Sequence, residues 1–395
     1  MSCLKYSRRD YKMLKAIVSL GALTAIHYQY RTIQKPKLYF KKTPENQFII
    51  KKLPILEQKY AVTPWLINPH AQIIYMTLKH KIRNKPLAYQ PIEQCRMLDG
   101  ATTEIAWLGY DLPQDCPTII MLHTVTGDTQ SMTEIVEDLY RQTGWRIALC
   151  LRRGHTTTSQ PFTSINIMGS VPDFQAQLDH IQRKFPDSPL YAVGSSAGTA
   201  VLARYLGEVG KNTPLRGAFA YCPGYDLNVA FDRVHKFYDR YMATSIKKRF
   251  ILPYQQQLQQ HPALQPVIKS KRLQDIQKVL FEFAGFDSYK SYLNACNPID
   301  VFTNIAIPTM ILNAEDDPIC HINNAWQYRE VIEANSATIL VTTRHGSHCG
   351  HYQGLKPRSW AHHLIASYLL TIHTYNRSSQ LVNKKYCNPV TNMIR

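Results

Sequence analysis

Gly194-Ser195-Ser196-Ala197-Gly198 places a serine between glycines, where the apolar run Leu190 to Val193 ends and a helix-like run from Thr199 to Glu208 begins. On such a sharp strand-to-helix turn the central serine projects its hydroxyl, and small flanking residues let the backbone fold tightly against its neighbours. Ser196 is the serine in register. A serine hydroxyl is a poor nucleophile until an imidazole takes its proton, and a carboxylate must hold that imidazole in the correct tautomer. The five-residue pattern is common by chance, so its meaning depends on whether the chain supplies both partners in workable places.

It supplies both. Pro308 to Asn313 reads as a buried strand, and Glu315-Asp316-Asp317 follows it, just before Pro318-Ile319. A second strand-like run, Ala337 to Thr343, leads into His345-Gly346-Ser347-His348-Cys349-Gly350-His351. Alone, an aspartate at a strand end usually caps a turn and a loop histidine is usually solvated. Together, in the order serine, acid, histidine that belongs to the α/β-hydrolase arrangement, they read as a nucleophile, its orienting acid and its base. The tetrahedral intermediate also needs N–H donors for its negative charge. Ala197, the residue after the nucleophile, offers one, and the turn His123-Thr124-Val125-Thr126-Gly127-Asp128, which ends the strand-like run Thr118 to Leu122, offers a second through Val125. His123 and Asp128 also have the H-x-x-x-x-D spacing of acyltransferases, but His123 ends the strand that must build the oxyanion turn, so the spacing is not a separate motif.

The elements that must position these groups follow from hydrophobic periodicity. Apolar runs at about 118–123, 146–151, 190–194, 217–221, 308–313 and 337–343 alternate with helix-like segments, which predicts an α/β fold with a mainly parallel central sheet covered by helices on both faces. Phe174, Leu178, Ile181 and Phe185 form one helical stripe, and an amphipathic helix is expected from about Ser359 to His373. Residues 226–300, with the Gln-rich run Tyr254 to Gln260 and many Phe and Tyr, read as short helices capping the site. Those aromatic residues either line an acyl-chain pocket or pack onto the core. The chain of 395 residues with 45% hydrophobic content divides into a basic segment, 1–59, a catalytic domain, 60–378, and a tail, 379–395.

With these segments in view the chain resembles the α/β-hydrolase family of membrane-anchored lipid esterases, which includes mammalian monoacylglycerol and medium-chain phospholipid lipases, yeast medium-chain ethyl ester synthases and related bacterial hydrolases. The resemblance covers about 60–375 and is carried by Pro64-Trp65-Leu66, Pro69-His70-Ala71-Gln72-Ile73, Leu98-Asp99-Gly100 with Ala106-Trp107, Leu122 to Gly127, Arg153-Gly154-His155, the serine turn with Tyr205-Leu206-Gly207-Glu208, Gly285-Phe286 with Tyr289 and Tyr292, and Pro308 to Pro318. It implies Ser196 as nucleophile, Asp317 as triad acid and His348 as base. Thr124 and Thr199 stand where the family usually has glycine, and His351 stands where phenylalanine is usual. Both threonines add a β-branched side chain near the reaction centre. The activity implied is hydrolysis of acyl esters of lipids or small alcohols through an acyl-enzyme, with no organic cofactor and no metal. Alcohol acyl transfer through the same triad and an inactive lipid-binding scaffold are the alternatives.

Ala16 to Ile26 is apolar but shorter than the roughly 20 residues a comfortable span needs, and Tyr28 and Tyr30 extend it as interfacial anchors, giving a candidate membrane anchor at about 13–30. Lysines and arginines flank it on both sides. The larger cluster follows it, which places the catalytic domain on the cytoplasmic side if the segment spans once. The net charge of +18, concentrated in the first sixty residues, asks for an acidic partner, and anionic lipid headgroups suit a charge beside an anchor. No zinc-finger spacing, basic-region heptad or aromatic RNA-binding signature supports nucleic acid. Nine scattered cysteines without a C-x-x-C pair argue against a disulfide framework or structural zinc and for a reducing compartment. Asn376-Arg377-Ser378 is a sequon that matters only if the C-terminus is lumenal.

Overall fold

The apolar runs bounded by proline, glycine and polar turns become strands buried on both faces. A computed structural model describes residues 32–82, 87–156 and 164–386, with side chains as far as 378, together with Ser19 and Tyr28. Its strands are β1 (Ile33–Gln34), β2 (Lys37–Phe40), β3 (Tyr60–Ala61), β4 (Ile92–Arg96), β5 (Thr102–Leu108), β6 (Thr118–Leu122), β7 (Arg146–Leu151), β8 (Leu190–Ser195), β9 (Leu215–Tyr221), β10 (Thr309–Ala314), β11 (Thr338–Thr343), β12 (Tyr352–Gln353) and β13 (Arg358–Ser359). Nine of them form one sheet in the order β2-β11-β10-β9-β8-β6-β7-β5-β4. The six strands expected from apolar runs, β6 to β11, are all there and pair in parallel. Antiparallel pairing is confined to the edges, where β2 joins β11 and β4 and β5 extend the sheet beyond β7.

Helices cover both faces, because the parallel strands β6 to β11 are largely apolar and buried on both sides. One face, including Met121, Leu149, Val193, Phe219 and Leu312, packs on Thr133–Thr143 and on the C-terminal helix through Leu364, Ile365, Tyr368 and Leu369. The other packs on Val171–Lys184 through Phe174, Leu178 and Ile181, as the stripe predicts, and on Ala197–Val209 through Leu202, Tyr205 and Leu206.

Two expected boundaries shift. Lys37–Phe40 adds an edge strand to the catalytic sheet, and Ile49 of the helix Pro44–Lys51 is fully buried in its core, so residue 60 is too late a start for the domain. The strand was hidden because it is short, lysine-flanked and paired with a segment some three hundred residues away. The C-terminal helix runs from Trp360 to Tyr386, past the end expected near 373, and inside it Asn376 donates its side-chain amide to the Arg216 carbonyl at 3.1 Å.

The apolar run Ala16 to Ile26 lies outside the described residues. Tyr28 is described: its hydroxyl donates to the Val62 carbonyl and its ring packs against the domain's own core, so it is not available as an interfacial anchor. Among the described residues no helix is long and apolar enough to cross a membrane. The described cysteines, Cys95, Cys116, Cys150, Cys222, Cys296, Cys320 and Cys349, are free thiols.

Between β9 and β10 the chain forms short helices, among them Lys236–Ile246, Leu264–Lys269, Leu273–Phe283 and Tyr289–Cys296. They enclose a core of their own, in which Met242, Ile246, Phe250, Val267, Ile276 and Leu280 pack together with Ala197 and Ala200 of the serine helix, and Val125 and Ile319 pack partly buried against it. The insertion therefore sits over the serine turn.

Candidate active site

Strand β8 ends at Ser195, and Ser196 turns the chain into the helix Ala197–Val209 with φ 51° and ψ −118°, a left-handed conformation costly for a residue with a side chain. The flanking glycines are required by contact. A Cβ on Gly194 would lie 2.7 Å from the Gly198 carbonyl oxygen, and one on Gly198 would lie 2.3 Å from the Leu122 carbonyl oxygen at the end of β6. Gly207, in the Tyr205-Leu206-Gly207-Glu208 segment, is held by the same logic, because its Cβ would meet the Val301 carbonyl oxygen at 2.3 Å. Gly198→Ala is expected to destabilise the fold by about 3 kcal/mol or more, since backbone on both sides must move. A denaturant midpoint for Gly198→Ala equal to wild type would show that the turn tolerates a wider approach to β6.

Ser196 Oγ lies 2.8 Å from His348 Nε2, and His348 Nδ1 lies 2.8 Å from Asp317 Oδ2. The carboxylate can only accept, so Nδ1 carries the proton and Nε2 is left to accept from the serine. Asp317 Oδ1 accepts from the amides of Ile319 at 2.7 Å and Cys320 at 2.9 Å, which fixes the carboxylate and accounts for Pro318-Ile319 following it. All three side chains are buried. Burial by itself would strip the proton from His348, but the Asp317 carboxylate outweighs it and holds the imidazole well above its ordinary value of 6.5.

The neighbouring candidates have other partners. Asp316 accepts from the Ser347 amide at 2.8 Å and approaches His345 Nδ1 at 3.2 Å, tethering the histidine loop to the end of β10. His351 is wholly buried, with Nδ1 3.2 Å from the Tyr221 hydroxyl and Nε2 3.0 Å from Thr343 Oγ1, and burial pushes it down to about 3. It is a neutral core histidine. Pro69 to Gln72 braces the same loop: the Ser347 hydroxyl donates to the Pro69 carbonyl at 2.7 Å, and Gln72 Oε1 accepts from Tyr352 N at 3.4 Å.

Ala197 and Val125 both lie at the serine end of the sheet, and the turn that carries Val125 is held through its carbonyls. Thr124 O accepts from Arg152 Nη2 at 2.6 Å and from His123 Nδ1 at 2.8 Å, Val125 O bonds His155 Nε2 at 2.9 Å, and Thr126 O accepts from Arg249 Nη1 at 2.6 Å. In a trans peptide N–H opposes C=O, so the Val125 N–H points away from Arg152 and His123. Burial keeps His123 and His155 neutral, the latter near 3. Asp128 pairs with Arg249 of the insertion at 2.8 Å, so His123 and Asp128 face different partners and share no site. Arg153 anchors the Arg153-Gly154-His155 segment to Asp99 and to Asp173 at the start of the helix Val171–Lys184. Thr199 donates its hydroxyl to the Ser196 carbonyl and stays buried in the helix's first turn. Sequence reasoning missed Asp316, Arg152 and Arg249 as supports, because their partners are distant in the chain.

Among the described residues, the non-glycine positions with positive φ are Ser196, Cys222, Ser347, Cys349 and His351. All of them lie in the serine turn, the histidine loop or the end of β9 beside them. Strain concentrated this way marks a functional site.

The family model for the alpha/beta hydrolase fold matches residues 117–355. The chain is similar to the monoacylglycerol lipase ABHD2 of Mus musculus, 25% identical over 91% of this chain and 89% of that one. It is similar to the phospholipase ABHD3 of Mus musculus, 24% identical over 87% and 86%. Among solved structures it is similar to the esterase Pf2001 of Pyrococcus furiosus, with a TM-score of 0.43, 15% identity and coverage of 66% and 85%.

Proposed function

The chain belongs to the alpha/beta hydrolase fold family, and from that premise we propose that it is a serine hydrolase that cleaves acyl esters of lipids. The observation that carries the reading is the unbroken chain of two 2.8 Å contacts from Ser196 through His348 to Asp317. His348 takes the serine proton as Oγ attacks the ester carbonyl, Asp317 stabilises the imidazolium, and the amides of Ala197 and Val125 meet the oxyanion. His348 then returns the proton to the leaving alcohol, and water resolves the acyl-enzyme by the same steps in reverse order. An alcohol in place of water gives acyl transfer. The lipid preference is supported by the relatives' names, a monoacylglycerol lipase and a phospholipase, and by the apolar insertion above Ser196.

The test is turnover by the purified full chain. Release of fatty acid from monoacylglycerol or phospholipid, together with fluorophosphonate labelling, is expected. Absence of both would leave an inactive scaffold, against which the assembled triad now argues. Product ratios with added alcohol separate hydrolysis from transfer.

We place the substrate at a membrane surface carrying anionic lipid. Ile74, Leu78 and Ile82 repeat every four residues along the helix Pro69–Ile82 and stand 57%, 49% and 70% exposed, with Trp65 nearby at 53% and the exposed Lys81 beside them. His70 of this helix contacts the Tyr238 hydroxyl of the insertion at 2.9 Å, so the apolar face adjoins the cap. An apolar stripe with basic flanks is suited to the headgroup boundary. Salt should release the full-length chain from membranes if attraction to headgroups holds it, because that attraction is screened beyond about 8–10 Å, whereas an inserted segment should need detergent. Recovery in a low-salt soluble fraction would overturn both.

A further inference from the structure

Three thiols surround the base. The sulfurs of Cys222 and Cys349 and one ring nitrogen of His348 all lie within 4.8 Å of one another, and Cys320 with Asp317 forms a second such group around the same imidazole. Cys222 and Cys349 are 127 positions apart, so neither spacing nor motif announces the pair.

The backbone holds this pair in place. Both residues adopt left-handed conformations, with φ 54° and 59°, and the Cys349 amide donates to Cys222 Sγ at 3.3 Å. The three donor atoms lie within 4.8 Å of one another, and a tetrahedral metal, with bonds of about 2.3 Å to sulfur and 2.0 Å to nitrogen, would draw neighbouring donors to roughly 3.5–4 Å. Two thiolates neutralise a divalent ion, so the filled site carries no net charge into a buried region. With the metal on Nε2, the Asp317–His348 hydrogen bond at Nδ1 would act as the outer-shell carboxylate that orients a metal-bound histidine. The second group is the poorer donor set, because the Asp317 oxygens already accept from two amides and from His348.

We propose that Cys222, Cys349 and His348 form a regulatory site for a soft divalent cation of the zinc type, and that occupying it switches the hydrolase off. Two thiol protons leave to solvent, water leaves the aquated ion as two metal–sulfur bonds and one metal–nitrogen bond form, and no electrons are transferred; binding at Nδ1 also moves that nitrogen's proton to Nε2. Inhibition follows whichever ring nitrogen binds. Nε2 is the serine's proton acceptor and Nδ1 is the aspartate's donor, so the metal displaces one triad contact in either case. The effect on activity rests on Ser196 and His348 being nucleophile and base; the binding itself does not.

The experiment uses the reduced full chain, freed of metal by a chelator. One equivalent of Co2+ should give sulfur-to-metal charge-transfer absorption in wild type and in Ser196→Ala, weakened in Cys222→Ser and in Cys349→Ser and unchanged in Cys320→Ser. One equivalent of Zn2+ should slow fluorophosphonate labelling of wild type at least tenfold, reversibly on chelation, and leave Cys222→Ser/Cys349→Ser unaffected. Absorption unchanged in Cys349→Ser, or labelling indifferent to Zn2+, would overturn the proposal. So would inhibition reversed by reductant and not by chelator, which assigns a disulfide instead. If the metal-free chain takes no label at all, the hydrolase reading fails, while the Co2+ spectrum still reports on the site.

Discussion

Ser196→Ala should abolish fluorophosphonate labelling and reduce ester turnover by about a millionfold, close to the background left by binding and the oxyanion donors alone. The turn itself should survive, because its geometry is set by Gly194 and Gly198 against the end of β6 and by the Ser196 amide bonding to Tyr221 O at 2.9 Å, and alanine retains that amide. Ser195 supplies the control. It ends β8 as a buried strand residue, while the imidazole contacts Ser196, so Ser195→Ala should keep most of the labelling and most of the turnover. The comparison is made on protein normalised by its folded fraction. A dead Ser195→Ala beside an active Ser196→Ala would mean that the turn is read one residue out of register.

What made this site legible is that each of the proposed catalytic groups sits at the end of its own apolar strand. β8, β10 and β11 are buried on both faces, so each appears as a continuous hydrophobic run, and the first polar residues after each run are those the sheet presents at its C-terminal edge. The antiparallel strands at the two ends of the sheet lack that signature. β5 buries Thr103 and Glu104 among its apolar residues, β4 is largely exposed, and β2 carries a lysine, so their alternation is too weak to distinguish from loop.

The supports were hidden for a different reason. Asp316 and Asp317 are adjacent and chemically identical, so residue type alone does not separate them; the resemblance points to Asp317 as the acid, and the fold adds that Asp316 tethers the Ser347 amide while Asp317 meets His348. Arg249 reaches the carbonyl of Thr126 from the insertion, and Cys222 reaches the histidine loop from the end of β9. The last two contacts leave no periodicity or spacing in the sequence, since each joins residues more than one hundred positions apart. The departures from the family pattern are likewise resolved by context: the hydroxyl of Thr199 finds the Ser196 carbonyl, and His351 fills a core position while satisfying both ring nitrogens.

His348→Ala should cost turnover at least ten-thousandfold, whereas His345→Ala should cost less than tenfold and His351→Ala should act mainly through stability, because its ring is buried between Tyr221 and Thr343. The pH profile provides the sharper measurement. The base works only when neutral, so turnover rises as pH climbs through the His348 pKa. Asp317 holds that pKa above 6.5, so the acid limb of kcat/KM should lie above the ordinary imidazole range. Asp317→Asn removes the charge that opposes burial, so any residual activity should have its acid limb displaced downward, with kcat lower by about ten-thousandfold because the tautomer is no longer fixed. Asp316→Asn should leave the limb in place and cost about tenfold or less, since it loosens the Ser347 tether without touching the ring that moves the proton. A limb that moves in Asp316→Asn and stays fixed in Asp317→Asn would exchange the two roles, and with them the account of why the loop is held where it is.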